Sequence, residues 1–198
     1  MSRSLFATSL YEARIEDAAL LDELARSIRT LSRDDEAGRR WSREKGYKGY
    51  TSYASLDDLP RRDPAFADLQ KVLGRHAASF ASELAFDLTR RPRLDSIWVN
   101  LLKAGGHHTA HIHPHSILSG TLYVEATKGS GAIRFEDPRL PLMMAAPVRR
   151  DDAPEAMRPF VTVEPHAGLL LMWESWLRHE VLPGSANADR LSISFNFA

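Results

Sequence analysis

The sequence predicts an α+β chain, mainly β, with a jelly-roll core behind two packing helices. Three observations predict it. Apolar residues recur at helical spacing only as far as Leu84. Past Arg93 that period gives way to seven or eight short apolar or alternating runs divided by turn residues. The last run, Arg190–Phe197, alternates strictly between polar and apolar, as a strand with one core face does. Helices followed by many short strands imply a sandwich or barrel, most simply a jelly roll.

Taken in order, Leu5–Ala13 mixes aromatic and β-forming residues loosely enough for a short opening strand or an extended arm. Ile15, Ala18, Leu21, Leu24, Ala25, Ile28 and Leu31 then recur at three and four, the stripe of a core-facing helix. Residues 32–60 are polar and irregular, and Trp41, Tyr47, Tyr50 and Tyr53 within them read as cover for a core edge, with a substrate-contacting surface as the lesser alternative. Asp63-Pro64 opens a second helix, the aspartate as cap and the proline in the first turn. His76 falls on its apolar stripe and reads as a packed histidine, not a ligand.

Asp95–Leu102 is nearly all apolar, which suits a strand covered on both faces. Asn100 interrupts it, and a buried amide needs partners; it either ties a loop in place or lines a pocket. Ser119–Val124 and Gly131–Phe135, divided by Lys128-Gly129-Ser130, read as a hairpin. Residues 138–159 hold five of the eleven prolines and no period, so a long loop is expected there, placed to act as a lid. Val161–Val163, Leu169–Trp173 and Leu191–Phe197 supply further strands. With no repeat visible, residues 1–198 read as one domain: a helical part over 1–92 packed on a β core over 93–198.

Composition narrows the function classes. The 26 basic and 26 acidic residues cancel, so no net field recruits nucleic acid or an anionic membrane. No cysteine is present, which leaves histidine and carboxylate as metal ligands and removes thiolate chemistry. Met1–Phe6 has no apolar run of leader length and no window approaches a membrane span, so a cytoplasmic location is expected.

The densest chemistry is His107-His108-Thr109-Ala110-His111-Ile112-His113-Pro114-His115, with five of the eight histidines. Residues two apart on a strand share a face, so His111 and His113 can aim at one point. Parity does not choose the pair, because His107, His111, His113 and His115 all share that face if the run is continuously extended. The final strand adds a wholly polar face of Arg190, Ser192, Ser194 and Asn196, which is either an ordinary solvated face or the wall of a cavity holding a carboxylate, since the arginine fork pairs carboxylates. His179 stands eleven residues before Arg190.

The order His-x-His, strands, a lone His, then Arg-x-Ser resembles the iron(II)- and 2-oxoglutarate-dependent oxygenases. The phrases Trp98-Val-Asn100, His111-Ile-His113-Pro114, Ser119-Gly120 with Tyr123, Trp176-Leu-x-His179 and Arg190-Leu-Ser-Ile-Ser-Phe-Asn196 are similar to a bacterial His-x-His subgroup near the prolyl 4-hydroxylase branch. The resemblance covers residues 95–198 well and the helical part more loosely. It implies a double-stranded β-helix, His111, His113 and His179 as iron ligands, and Arg190 with Ser192 as the clamp on the distal carboxylate of 2-oxoglutarate. Asn100 and Tyr123 are implied as weaker pocket residues. The implied activity is a dioxygenase, with Fe(II), 2-oxoglutarate and O2, that hydroxylates a C–H bond as 2-oxoglutarate is decarboxylated.

The departure from the commoner oxygenase pattern is His113, which stands where a carboxylate is usual and leaves the ion's charge uncompensated; Asp137 or Glu136 is the reserve carboxylate. Two rivals remain at this level: a cupin-like metalloenzyme without 2-oxoglutarate, and a non-catalytic jelly-roll binding module. A cupin normally carries glutamate a few residues after His-x-His, where this chain has Ser116, Ile117 and Leu118. The substrate, small molecule or protein, and the oligomeric state, a homodimer included, are not legible.

Overall fold

A computed structural model describes Arg3 and residues 5–198; of the segment read for a leader, Met1, Ser2 and Ser4 lie outside the described residues. Four α-helices precede or interrupt the first strands. Helix α1 (Ala18–Asp34) starts where Asp17 accepts the Leu20 N–H at 3.0 Å, and buries Leu20, Leu24, Ala25 and Ile28. Helix α4 (Pro64–Glu83) starts at Asp63, which accepts from Ala65 N at 2.9 Å and from Ser27 Oγ of α1 at 2.5 Å, so one carboxylate caps one helix and ties it to the other. His76 on α4 hydrogen-bonds Tyr11 at 2.9 Å, as a packing residue does.

The 32–60 segment is more ordered than its composition predicts. It forms α2 (Glu36–Glu44), β2 (Gly49–Thr51) and α3 (Leu59–Arg62). Asp35 organises it by accepting hydrogen bonds from Gly38 N, Tyr50 Oη and Ser55 Oγ. Asp35 thus ties α2 to β2, β2 pairs with β3 (Leu94–Leu102), and Leu59 anchors α3 in the core; elements this short show no period, which is why periodicity misses them.

The strands are β1 (Leu10–Arg14), β3 (Leu94–Leu102), β4 (His108–His111), β5 (Leu118–Glu125), β6 (Ile133–Glu136), β7 (Phe160–Val163), β8 (Leu169–Glu174), β9 (His179–Val181) and β10 (Arg190–Phe197). They form a six-stranded sheet, β1-β8-β5-β10-β3-β2, and a four-stranded sheet, β4-β9-β6-β7. Every pairing is antiparallel. The expected mainly β architecture with a jelly-roll core is present. The expected hairpin of 119–124 with 131–135 is absent: β5 lies between β8 and β10, whereas β6 pairs with β7 and β9 in the other sheet. The physical reason is burial, since β5 is covered on both faces from Leu118 to Val124 and takes a central place, while the turn at Gly129 and Gly131, both at positive φ, carries the chain across.

Alternation sorts the large sheet's residues between two cores. Ile97, Val99, Leu122, Leu170, Leu191, Ile193 and Phe195 pack under α1 and α4. Tyr123, Leu171 and Trp173 face the small sheet and meet Ile133, Phe135 and Leu177. The polar face of β10 therefore points between the sheets, where Arg190, Ser192 and Asn196 are buried. Residues 138–159 are irregular but for 3-10 turns at Leu140–Leu142 and Glu155–Met157. No helix among the described residues is long and apolar enough to cross a membrane.

Candidate metal centre

Two neighbouring imidazoles, His111 and His113, meet a third from far along the chain, His179, between the sheets. His111 ends β4 and stands opposite His179, which begins β9. His113 follows β4, anchored by its backbone N–H to the Ser175 carbonyl at 3.0 Å. One candidate donor atom from each of His111, His113 and His179 lies within 4.8 Å of the other two, and they are the one such group among the described residues.

The tautomers are set by the backbone. His111 Nδ1 lies 2.7 Å from the Thr109 carbonyl and His179 Nδ1 2.9 Å from the Leu177 carbonyl. A carbonyl only accepts, so each Nδ1 carries the proton and each Nε2 presents a lone pair. His113 Nε2 is 3.3 Å from His179 Nε2, close to the ~3 Å expected of two nitrogens each about 2.1 Å from one ion at a near-right angle. Burial, then the neighbouring His111, pushes the pKa of His113 down to about 4 and that of His179 to about 3. Both are neutral near pH 7, the form that ligates metal.

His107 and His115 are exposed and take no part. The reserve carboxylates are paired with arginines, Glu136 with Arg178 and Asp137 with Arg139, and neither joins the group of candidate donors.

Arg190 lies on the same inner face, 3% exposed. Its Nη1 donates to the Gly131 carbonyl at 2.9 Å, and its guanidinium sits over the Tyr123 ring at 5.5 Å. Its Nε is buried without a partner. Ser192 is buried between Asn100 of β3 and Tyr123 of β5, its partners in register. Asn100 Nδ2 donates to Ser194 Oγ at 3.1 Å, and its Oδ1 has no partner. With Trp173 Nε1, these are the three buried side-chain polar atoms left unpaired among the described residues; all belong to the inner face of the large sheet. A native interior rarely leaves such groups unmatched, so this face has hydrogen-bonding capacity for water or a polar ligand.

Two residues of this region have no signal in the sequence. Tyr47 reads as one of several irregular aromatics, yet its hydroxyl meets His108 Nε2 at 2.9 Å. His108 is excluded by parity, yet a register shift between His108 and His111 breaks the alternation. The aromatic run is not only edge cover: Tyr50 is core, but Tyr53, 61% exposed, meets Trp98 edge to face at 5.3 Å, and Trp98 lies 5.9 Å from the His113 ring.

Residues 96–196 of the 198 match a family model described as "Putative 2OG-Fe(II) oxygenase". Solved structures share the fold. A prolyl-4-hydroxylase from Pseudomonas putida is 17% identical with a TM-score of 0.61, covering 96% of this chain and 92% of that one. The epimerase SnoN of nogalamycin biosynthesis, solved with Fe3+ and alpha ketoglutarate, is 17% identical at TM-score 0.67, covering 96% and 79%. HygX from Streptomyces hygroscopicus, solved with nickel and 2-oxoglutarate, is 13% identical at TM-score 0.59, covering 97% and 82%. No curated protein matches the chain.

Proposed function

The chain belongs to the 2OG-Fe(II) oxygenase family, and from that premise we propose that His111, His113 and His179 hold its iron while Arg190 and Ser192 hold the distal carboxylate of 2-oxoglutarate. The observation that carries this reading is the convergence of three imidazoles, two with backbone-fixed tautomers, between the same two sheets as a buried arginine whose Nε has no partner. The donor set fits the metal: neutral nitrogen ligands suit ferrous iron, and three of them leave positions for a chelating keto acid and for oxygen.

When bound, iron(II) supplies the oxygen chemistry, in which one atom of O2 enters 2-oxoglutarate as it becomes succinate and carbon dioxide and the other enters a substrate C–H bond. The protein's own groups do the rest. The Thr109 and Leu177 carbonyls hold the ring orientations of His111 and His179. Arg190 is kept straight by Gly131 and by the Tyr123 ring, so its open edge faces one way. Three neutral imidazoles leave the ion's charge uncompensated, which favours an anionic keto acid over water at the remaining positions. Asn100 and Tyr123 line the passage between the two ends.

The substrate, a small molecule or a protein side chain, approaches past Trp98, Tyr53 and the 138–159 loop. That loop leaves and returns next to His179, since Glu136 N donates to the Arg178 carbonyl and Asp137 N to the Pro159 carbonyl. Anaerobic addition of 2-oxoglutarate to the iron(II) protein tests the site. A weak visible charge-transfer band is expected, lost in His179→Ala and Arg190→Ala, with succinate released on admitting air. A colourless mixture with an unchanged melting temperature overturns the assignment.

A further inference from the structure

Tyr47, just before β2 of the large sheet, and His108, in β4 of the small sheet, flank the Arg190 end of the site. Gly49 pairs with Leu102, and Leu102 with Arg190, so Tyr47, two residues before Gly49, stands at the same end of the large sheet as Arg190. In the small sheet His108 pairs with Val181, and Val181 with Ile133. Two residues before Ile133 is Gly131, whose carbonyl accepts from Arg190 Nη1. The two chain segments meet where Tyr47 Oη and His108 Nε2 lie 2.9 Å apart, their rings edge to face at 5.1 Å.

Both side chains lie within the fold yet are only half-buried, as residues of a cavity wall are. The charge of Arg190 acts on both. Burial, then that charge, pushes the His108 pKa down to about 3, so the ring is neutral and carries a single N–H. Burial pushes the Tyr47 phenol up, so it keeps its proton. If the imidazole proton sits on Nδ1, the phenol donates to Nε2 and has nothing further to give. If it sits on Nε2, the imidazole donates to Tyr47 Oη and the phenolic O–H is free. A carboxylate on Arg190 is the strongest acceptor this end of the site can hold, and it selects the second tautomer.

We propose that Tyr47, oriented by a hydrogen bond from His108 Nε2–H, donates a hydrogen bond from its phenolic O–H to the carboxylate that Arg190 and Ser192 hold. Tyr47 is then a 2-oxoglutarate-binding residue and His108 its positioning residue. The inference rests on Arg190 being the 2-oxoglutarate clamp. Tyr47 lies outside residues 96–196, the part that matches the family model, so this contact is a contribution of the chain's own helical part to its co-substrate site.

The test is an anaerobic titration of the iron(II) protein with 2-oxoglutarate, followed by the charge-transfer band, beside steady-state succinate formation in air. Tyr47→Phe is expected to raise the Kd and KM for 2-oxoglutarate about 10- to 100-fold, with the loss in KM and not in iron affinity. His108→Leu should follow it, and His108→Gln, which keeps an Nε2–H donor, should recover most of the loss. 2-Oxopentanoate, which lacks the distal carboxylate, should bind wild type and Tyr47→Phe alike. An unchanged 2-oxoglutarate Kd in Tyr47→Phe overturns the proposal, as does an equal loss for 2-oxopentanoate. A wild type that gives no band overturns the Arg190 assignment itself, and the role of Tyr47 with it.

Discussion

Four imidazoles, those of His76, His108, His113 and His179, are held toward the neutral form by burial, and that has a measurable cost. Burial lowers the pKa of His76, His108, His113 and His179 below the usual 6.5. The unfolded chain therefore takes up protons below pH ~6.5 that the folded, metal-free protein refuses. Stability is expected to be flat above that pH and to fall as the pH drops toward 4, levelling only below about 3, where His108 and His179 titrate. Urea midpoints of the metal-free protein between pH 8 and 5 check this in a range where few carboxylates titrate; a midpoint independent of pH there refutes it. For the guanidinium, Arg190→Lys keeps the charge but removes the planar fork, so 2-oxoglutarate should bind about 10- to 100-fold more weakly with iron affinity unchanged, read from the charge-transfer titration. Much of this was legible in the residues alone, because the strict alternation of Arg190–Phe197 and the His111-x-His113 spacing are strand-periodic. His179 was reachable only through the resemblance; Tyr47 stood out only as one of several irregular aromatics in a segment without a period, and His108 not at all, since a broken register erases the parity of its strand.

The β10 strand does for the elements what the imidazoles do for the site: one face closes the helical core and the other presents Arg190 and Ser192. Phe195 is fully buried under the helices, and Phe195→Ala should cost about 3–5 kcal/mol, measured by urea unfolding. Its neighbour across β5 is Gly120, where an added Cβ would stand 2.5 Å from the Leu171 carbonyl oxygen and 2.5 Å from the Phe195 ring. Neither the backbone nor the packed ring can withdraw cheaply, so Gly120→Ala is expected to destabilise by about 1–3 kcal/mol as an overpacking change; a variant as stable as wild type would refute that packing. Ser119-Gly120 therefore reads as a packing requirement between β5, β8 and β10. The elements the sequence hid are the short ones. The three residues of β9 are too few to show a period, and the turn at 127–131 looks like a hairpin because local residues cannot announce that it changes sheets.

At the scale of the molecule, the proposed ligand sets divide between the sheets. His111, His113 and His179 belong to the small sheet and the segment beside it, while Arg190 and Ser192 belong to the large one. Metal alone should bind within one layer, whereas 2-oxoglutarate, chelated at one end and clamped at the other, joins the two. The melting temperature should therefore respond in an ordered way. Anaerobic iron(II) at about a hundred times its Kd contributes roughly 2.7 kcal/mol, or about 5–11 °C for a chain of this size. 2-Oxoglutarate without metal should shift the transition little, because only its distal end is held. Added to the iron protein it should shift the transition further, and Arg190→Ala should abolish that second increment while leaving the first intact. If 2-oxoglutarate stabilises the metal-free protein as much as the iron-loaded one, the two ends are not bridged by one molecule. The carboxylate pocket would then be independent of the three imidazoles.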